Sequence, residues 1–497
     1  MKRPSRYKAT CAECSAIVAP GAGVLEKRDQ WVTLCALCSG NANTVAAMVN
    51  NHLKKWRGGS IYPYQWSGIG WLSGRQRAML CDDQGLGKTL QVLASIPRGA
   101  AVVLICPAVA KGSWGDHIEA LRPDLSAVVG FGRGFWLKPR PNQVTIMNYE
   151  IMPDLVDGHF AGDLPDSPIH VIADEAHFLK SLKAGRTLKF RALAREAYKR
   201  GGSCWLLTGT PIKTDPPDLW TLLNILGLQA ETFGSWRCFR RMLGGRAGPF
   251  SSTIWDRGID KEVPDILRRV MLRRVKGDVL PDLPPKRHDT INVEISDEAA
   301  RACDAAIEAL RAAGLDLEML TMDALEGVSG VPFEEMSAAC KALAAAKIPA
   351  ILDLLDLEET TATKPLIVWS RHTAPLIAVA ARPGWEKIDG TTTHRDRERF
   401  VKAFQTGELR GLACSIAAAG TAITLTACDH ALFVDKSWSY ADNVQAEDRI
   451  HRIGQDADSC RYTMLVARHR LDERLAELLH RRGHTFDAAI NAARTVE

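Results

Sequence analysis

Beyond residue 58 the chain alternates short apolar runs with helix-like stretches. AAVVLICP (100–107), QVTIMNYE (143–150), HVIADEAH (170–177) and CWLLTGTP (204–211) are dominated by apolar residues and close on polar or turn residues. KPLIVWSRH (364–372), ELRGLACSI (408–416), HALFVDKS (430–437) and RYTMLVAR (461–468) repeat the pattern. Such runs predict buried strands, and helical segments between them predict parallel sheets with helices on both faces. The runs fall in two blocks, roughly 60–285 and 355–480. Between the blocks, 296–352 is rich in Ala, Leu, Glu and Lys and predicts helices, while DLPPKR (282–287) reads as a linker. In parallel sheets ligands gather at the carboxyl ends of strands, where DEAH, TGTP and SRH fall.

The 497 residues suggest roughly three domains at about 150 residues each. A hydrophobic share of 46% and a charged share of 24% suit a folded globular protein and exclude collagen-like, disordered and disulfide-only classes. No apolar run approaches the roughly 20 residues of a membrane helix. The opening MKRPSRYKATCAEC lacks the apolar region of a secretory signal, so the cytoplasm is the expected location and no membrane partner is expected. A bacterial or phage source is expected, because there is no nuclear-localisation run or chromatin-reading module. The net charge of +5, from 63 basic and 58 acidic residues, permits nucleic-acid binding without arguing for it.

Most of the 13 cysteines sit singly in apolar stretches, as Cys106 and Cys204 do, and read as buried thiols of a reducing compartment. Four do not. Cys11 and Cys14 form one C-x2-C pair, and Cys35 and Cys38 form a second. This spacing fits a tetrahedral four-thiolate Zn²⁺ site, whose binding energy would order a module too small to fold alone. The segment between the pairs, with Val24, Leu25, Trp31 and Val32, suits a short hairpin. Four unrelated free cysteines are the alternative.

DDQGLGKT (82–89) is a glycine-rich turn running into the helical pattern LQVLASI. Such a turn offers backbone N–H groups to phosphates, with Asp83, Gly85, Leu86 and Gly87 forming the cradle. Lys88 would reach the β and γ phosphates of ATP, and the Thr89 hydroxyl would hold Mg²⁺. Asp82 stands where the general pattern has glycine. About 85 residues on, Asp174 and Glu175 end an apolar strand. The first carboxylate suits the Mg²⁺ shell and the second suits activation of water. A turn before an ordinary helix, or two exposed carboxylates, would explain either motif alone; the pairing favours ATP hydrolysis. In QAEDRIHRIGQ (445–455), Arg449 and Arg452 are three apart, which predicts one face of a helical turn. Arginines of this kind can stabilise charge on a transferred γ-phosphate; a salt-bridged surface helix is the alternative.

Together these motifs, with ICPAVAKGSW, LLTGTPI, DGTTTHRDRERFVKAFQ and AAAGTAITLTACDHALFVDKSWSYADNVQAEDRIHRIGQ, resemble the Swi/Snf family of superfamily-two DNA translocases. LRRVKGDVLPDLPPKR (272–287) resembles that family's basic brace. The absence of a long insert resembles the small branch that contains annealing helicases. The resemblance covers roughly residues 60–480. It implies an α/β fold of two RecA-like P-loop lobes with ATP between them and a helical insertion; the small N-terminal zinc module, read from the cysteine spacing, lies outside the resemblance. The expected organisation is the zinc module at 1–57, lobe 1 at 58–285, a linker and helical protrusion at 286–354, lobe 2 at 355–480 and a tail at 481–497.

The resemblance also implies roles. Gln65 would contact adenine, Arg449 and Arg452 would be arginine fingers, and Gln455 would lie near the nucleotide. Thr208, Gly209 and Thr210 would couple hydrolysis to lobe movement, with His177 joining DEAH to TGTP. Arg273, Arg274 and Lys276 would bridge the lobes. Lys111, Ser113, Trp114, Lys180 to Lys183, Arg371, His372 and Thr421 would face DNA, mostly its phosphates, since a motor that steps through any sequence cannot rely on base edges. Gln84, Ala422 and Tyr440 depart from the family pattern. The implied activity is ATP-dependent translocation on double-stranded DNA, forked or branched DNA included. A strand-separating or annealing helicase, an RNA-directed motor and a non-catalytic ATP-switched DNA-binding scaffold are the alternatives.

Overall fold

All four apolar runs of the first block are strands of one parallel sheet. In chain order its strands are β1 (Arg77–Leu80), β2 (Ala101–Cys106), β3 (Ser126–Val129), β4 (Gln143–Asn148), β5 (Ile169–Asp174), β6 (Ser203–Leu207) and β7 (Met271–Leu272). They lie in the order β7-β1-β6-β5-β2-β4-β3. The computed structural model describes the chain apart from residues 1, 5–8, 11–16, 19–22, 28–30, 36–40, 133–134, 155–167, 214, 248–252, 256–257, 314–315, 318–332, 420–422 and 496–497. The chain divides into two units, Met1–Val279 with Ala489–Glu497, and Leu280–Ala488.

In the first unit the register matters most. Asp174 pairs with Leu207, Leu207 with Leu80, and Leu80 with Leu272. Four strands therefore end level, and the loops that leave β1, β6 and β5 emerge side by side. The central strands are mostly apolar and buried because helices cover the sheet, whereas the edge strand β3 is exposed to half-buried. Helices α1 (Asn41–Arg57), α2 (Pro63–Ser73), α3 (Lys88–Ser95) and α4 (Lys111–Leu121) supply one layer. Val45, Ala46, Val49 and Leu53 of α1 bury in the same core as Ile69, Leu93 and Ile118, so α1 is part of this lobe's core. Arg122 is fully buried just after α4. Its Nη1 donates to the carbonyls of Leu93 (2.6 Å) and Ile96 (2.8 Å), closing the C-terminal end of α3. Its Nε and Nη2 donate to Asp124.

The second unit is a six-stranded parallel sheet. Its strands are β8 (Lys286–Val293), β9 (Leu366–Ser370), β10 (Trp385–Ile388), β11 (Gly411–Ser415), β12 (His430–Phe433) and β13 (Cys460–Ala467), in the order β8-β13-β12-β9-β11-β10. β9, β11, β12 and β13 are the four apolar runs of the second block. The segment read as a linker differs. Lys286 and Arg287 open β8, which pairs with β13 from Lys286↔Cys460 to Val293↔Ala467. β8 is an edge strand, exposed along most of its length, so KRHDTINV carries no apolar run to announce it. The helices expected over 296–352 are α5 (Asp297–Ala312), α6 (Phe333–Ala346) and α7 (Ile348–Thr361). Cys303, Ile307, Met336 and Leu343 from α5 and α6 share a core with Leu471 and Leu475.

Near the N-terminus, Gly23–Lys27 pairs antiparallel with Trp31–Cys35, which is the hairpin expected between the cysteine pairs. Cys11, Cys14 and Cys38 lie outside the described residues, and Cys35 ends the second hairpin strand. Among the described residues no His, Cys, Asp or Glu cluster could hold a metal. Cys81, Cys106, Cys204, Cys303, Cys340, Cys414, Cys428 and Cys460 are buried thiols. Among the described residues no helix is long and apolar enough to cross a membrane.

Candidate active site

The phosphate loop joins β1 to α3. Gly87 is the N-cap of α3 at φ 76°, a left-handed conformation that favours glycine. A Cβ there would stand 2.4 Å from Gln65 Nε2. Gln65 is buried; its Nε2 donates to the Leu86 carbonyl (3.1 Å) and its Oε1 accepts from the Tyr62 N–H (3.0 Å). Tyr64 Oη and Gln91 Nε2 also donate to the Leu86 carbonyl. Lys88 Nζ donates to the carbonyls of Asp82 (2.7 Å) and Asp83 (3.1 Å), folding back over its own loop. Thr89 sits half-buried in the first turn of α3.

Asp82, the departure from the glycine pattern, has a structural explanation. It is fully buried against Arg274, also fully buried, with Arg274 Nη2 2.6 Å from its Oδ2. Gln91 completes the cluster, donating to Asp82 (3.0 Å) and accepting from Arg274 (2.7 Å), while Arg274 Nη1 donates to the Tyr64 carbonyl. Arg273 Nη2 pairs with Asp83 at 2.7 Å, and its Nη1 donates to the carbonyls of Cys81 (2.7 Å) and Gly209 (3.0 Å). Lys276 N–H donates to Asp83. These residues of the expected brace therefore fasten the phosphate loop from behind, because β7 lies next to β1.

The acidic pair ends β5. Asp174 Oδ2 accepts from Trp114 Nε1 (2.8 Å), and its backbone carbonyl accepts from Tyr149 Oη (2.6 Å). Burial and the neighbouring Glu175 charge push the Asp174 carboxyl up to about 6. Glu175 is left-handed at φ 52°, an uncommon conformation for a residue with a side chain. The kink turns the strand into the short helix Ala176–Leu179. His177 is buried, with Nδ1 3.3 Å from both Glu175 Oε2 and Thr208 Oγ1. Thr208 Oγ1 in turn accepts from the Thr210 N–H (3.1 Å). A chain of contacts thus runs from the acidic pair to the TGT loop, and Arg273 continues it through the Gly209 carbonyl to the phosphate loop.

Two residues expected on DNA face inward. Trp114 is 3% exposed and is committed to Asp174. Lys111 is 8% exposed, and its Nζ donates to the Gly130 carbonyl (2.7 Å) and Asn148 Oδ1 (3.1 Å). Burial lowers its pKa. Lys180 and Lys183 are exposed. Sequence reasoning missed Tyr149, Gln91 and the Asp82–Arg274 pairing, because neither motif nor periodicity indicates which distant polar groups meet.

In the second unit α8 (Tyr440–Glu447) stops short of the two arginines, so they lie in the following turn rather than on a helix. The Glu447 carbonyl accepts from Tyr462 Oη (3.0 Å) as well as from the Ile450 and His451 N–H groups, and the Arg449 carbonyl accepts from the Leu425 N–H (3.0 Å). The spacing of three still brings them together. Arg449 Nη1 and Arg452 Nη1 both donate to the Ile423 carbonyl, at 3.4 and 3.0 Å. Gln455 is buried, donating to the carbonyls of Cys428 (2.8 Å) and Ile450 (3.0 Å) and accepting from the N–H groups of Asp456 and Ala457. Arg371 is exposed, its guanidinium 4.2 Å from the Trp438 ring centroid. Thr421 and Ala422 lie outside the described residues.

The residues fit a nucleoside triphosphate and a divalent cation. Gln84 Nε2 and Thr210 Oγ1 are buried beside the phosphate loop without a hydrogen-bond partner among the described residues. Among the described residues Lys88 has only carbonyl partners, which phosphate oxygens can replace. A phosphate loop, an acidic pair and a linking histidine at the level ends of one parallel sheet define the ATP-binding lobe of a helicase-type ATPase.

Residues 64–325 match the SNF2-related domain, and residues 346–454 match the helicase conserved C-terminal domain. The chain belongs to the SNF2-related family and carries both domains of a helicase-superfamily ATPase. It is similar to the DNA annealing helicase and endonuclease ZRANB3 of Bos taurus, 28% identical over 87% of this chain and 40% of that protein. It is 30% identical to the SWI/SNF-related matrix-associated actin-dependent regulator of chromatin subfamily A-like protein 1 homolog of Caenorhabditis elegans, over 83% of this chain and 59% of that one. The chain thus spans 40% and 59% of these two relatives. Among solved structures it is similar to the Sulfolobus solfataricus SWI2/SNF2 ATPase core in complex with dsDNA, at TM-score 0.39 and 20% identity, over 88% of this chain and 94% of that one.

Proposed function

We propose that this chain hydrolyses ATP to move along double-stranded DNA. The observation that carries the reading is the level set of three loops, in which His177 stands 3.3 Å from both Glu175 and Thr208. Lys88 exchanges its two loop carbonyls for phosphate oxygens. The N-terminus of α3 adds backbone N–H groups. Thr89 and Asp174 hold Mg²⁺, and Trp114 keeps the Asp174 carboxylate aimed. Mg²⁺, when bound, neutralises charge shared by the β and γ phosphates. Glu175 accepts the proton of the attacking water, and His177 passes its position to the TGT loop. Gln65 contacts adenine, for which its amide retains one N–H and one lone pair beyond the bonds it makes within the loop. Arg449 and Arg452 supply positive charge to the transferred phosphate, which in this chemistry is worth about 10³–10⁵ in rate. Lys180, Lys183, Arg371 and Thr421 meet DNA phosphates, while Lys111 and Trp114 act inside the lobe.

Forked or branched DNA is included among the forms of duplex the chain acts on, and similarity to a protein named a DNA annealing helicase favours annealing as the alternative outcome of that movement. Cys11, Cys14, Cys35 and Cys38 bind one Zn²⁺ as four thiolates, and chelation of that ion unfolds the N-terminal hairpin. One zinc per chain by metal analysis, lost in the Cys11→Ser variant, is the expected result.

Steady-state ATP hydrolysis with no nucleic acid, single-stranded DNA, duplex DNA, forked DNA and RNA tests the main reading. Stimulation by duplex or forked DNA, abolished in Lys88→Ala, is expected. Hydrolysis that responds equally to all of them, or more to RNA, rules the DNA motor out.

A further inference from the structure

An open concavity of about 500 Å³ lies in the first unit, away from the phosphate loop. One wall is the helix Trp236–Met242, and the other is the start of the hairpin formed by Gly245–Ala247 and Thr253–Trp255. Four of its lining residues are arginines, Arg237, Arg240, Arg241 and Arg246, and none is acidic. Positions 237, 240 and 241 share one helical face by their spacing, and Arg246 comes from the opposite wall. Among the described residues, Arg237, Arg240 and Arg241 form no ion pair; Arg241 reaches only Cys238 Sγ, at 3.9 Å.

The concavity is held in shape from beneath. Trp236, itself 38% exposed, stacks on Phe239 at 5.5 Å and meets Trp220 and Trp255 edge-on. Gly245 lets the hairpin close onto the helix, since a Cβ there would stand 2.6 Å from Arg240 Cγ and 2.7 Å from the Trp255 ring. Arg237 and Arg241 are exposed, and no carboxylate stands among the described residues that line the concavity. Guanidinium groups on two walls, with no aromatic residue among the described lining, suit a sugar–phosphate backbone rather than exposed bases.

We propose that this arginine-lined concavity is a second DNA-binding surface that grips the phosphate backbone of duplex DNA. It rests on the reading of the chain as a DNA motor and adds to that reading a contact outside the ATPase motifs. A grip on the flank of the first lobe would keep the protein on its track while the contacts of the motor loops change.

The test is duplex DNA binding by the full chain across a salt series. Arg237→Glu with Arg241→Glu is compared with a control pair, Arg98→Glu with Arg195→Glu, which makes the same charge change at two other exposed arginines. Log affinity against log salt loses about one unit of slope per phosphate contact, so the first pair lowers the slope by about 2. Its affinity also falls by about tenfold or more at about 0.1 M salt. Arg237→Lys with Arg241→Lys keeps the wild-type slope. The control pair leaves it unchanged. Equal losses in the two glutamate pairs, or a loss confined to single-stranded DNA, overturn the proposal. Wild-type protein that binds no duplex overturns it together with the motor reading, whereas wild-type binding with an unchanged slope in the first pair overturns the arginine surface alone.

Discussion

Arg274 grips Asp82 with two nitrogens, Nη2 at 2.6 Å and Nε at 3.0 Å, and neither side chain is exposed. The pair stands immediately behind the phosphate loop. Asp82→Gly restores the glycine of the general loop pattern yet strands a buried guanidinium. Unfolding in urea should show a loss of roughly 3–5 kcal/mol. The apolar double variant Asp82→Leu with Arg274→Met should lie closer to wild type than Asp82→Gly does, because removing both charges costs less than removing one.

Glu175 is the assigned base. Glu175→Gln should lower kcat by about 10²–10⁴-fold while a fluorescent ATP analogue still binds. Lys88→Ala should lose analogue binding as well. Turnover by Glu175→Gln at the wild-type rate would remove Glu175 from the chemistry.

Trp114 separates two roles that a single residue cannot fill at once. Buried and bonded to Asp174, it should act on turnover. Trp114→Phe deletes a hydrogen bond to a charged group, worth about 1.5–3 kcal/mol, and should cut kcat by roughly tenfold or more. Duplex affinity should not change. A variant with normal DNA-free turnover and weakened duplex binding would return Trp114 to the DNA path.

Arg122 ties α3 to the rest of the lobe. Arg122→Met orphans two carbonyls and the Asp124 carboxylate, at a cost of roughly 3–5 kcal/mol in thermal or urea unfolding. The Arg122 guanidinium holds the Asp124 carboxyl below its ordinary range. The folded pKa being the lower one, this stabilisation is complete above the unfolded value of about 3.9 and drains away as pH falls through the folded pKa. Asp124→Asn should be less stable at neutral pH and should lose that acid-side slope.

Much of the fold was legible because burial on both faces of a parallel sheet writes itself as apolar runs. All eight such runs are strands. β8 was not legible, since an exposed edge strand of polar residues has no such signature, and β7 has only two residues. Motif spacing marked the Lys88 loop and the acidic pair, and it brought Arg449 and Arg452 onto one carbonyl even though the helix expected beneath them ends at Glu447. The direction of polar side chains was illegible. Lys111 and Trp114 sit on a helix whose sequence does not say which polar positions turn inward. Arg274 gave no hint of Asp82, a partner 192 residues away.

Arg273 joins stretches far apart in the sequence. Besides Asp83 and the carbonyls of Cys81 and Gly209, its guanidinium donates to Asn491 Oδ1 (2.9 Å), and its own carbonyl accepts from the Thr495 N–H (2.7 Å). Ile490 and Ala493 are buried on either side of Asn491. Asn491 and Thr495 are therefore wired to the nucleotide loop by one side chain. A change at either position is not an alteration of a remote helix end; it reaches the part of the protein that handles phosphate.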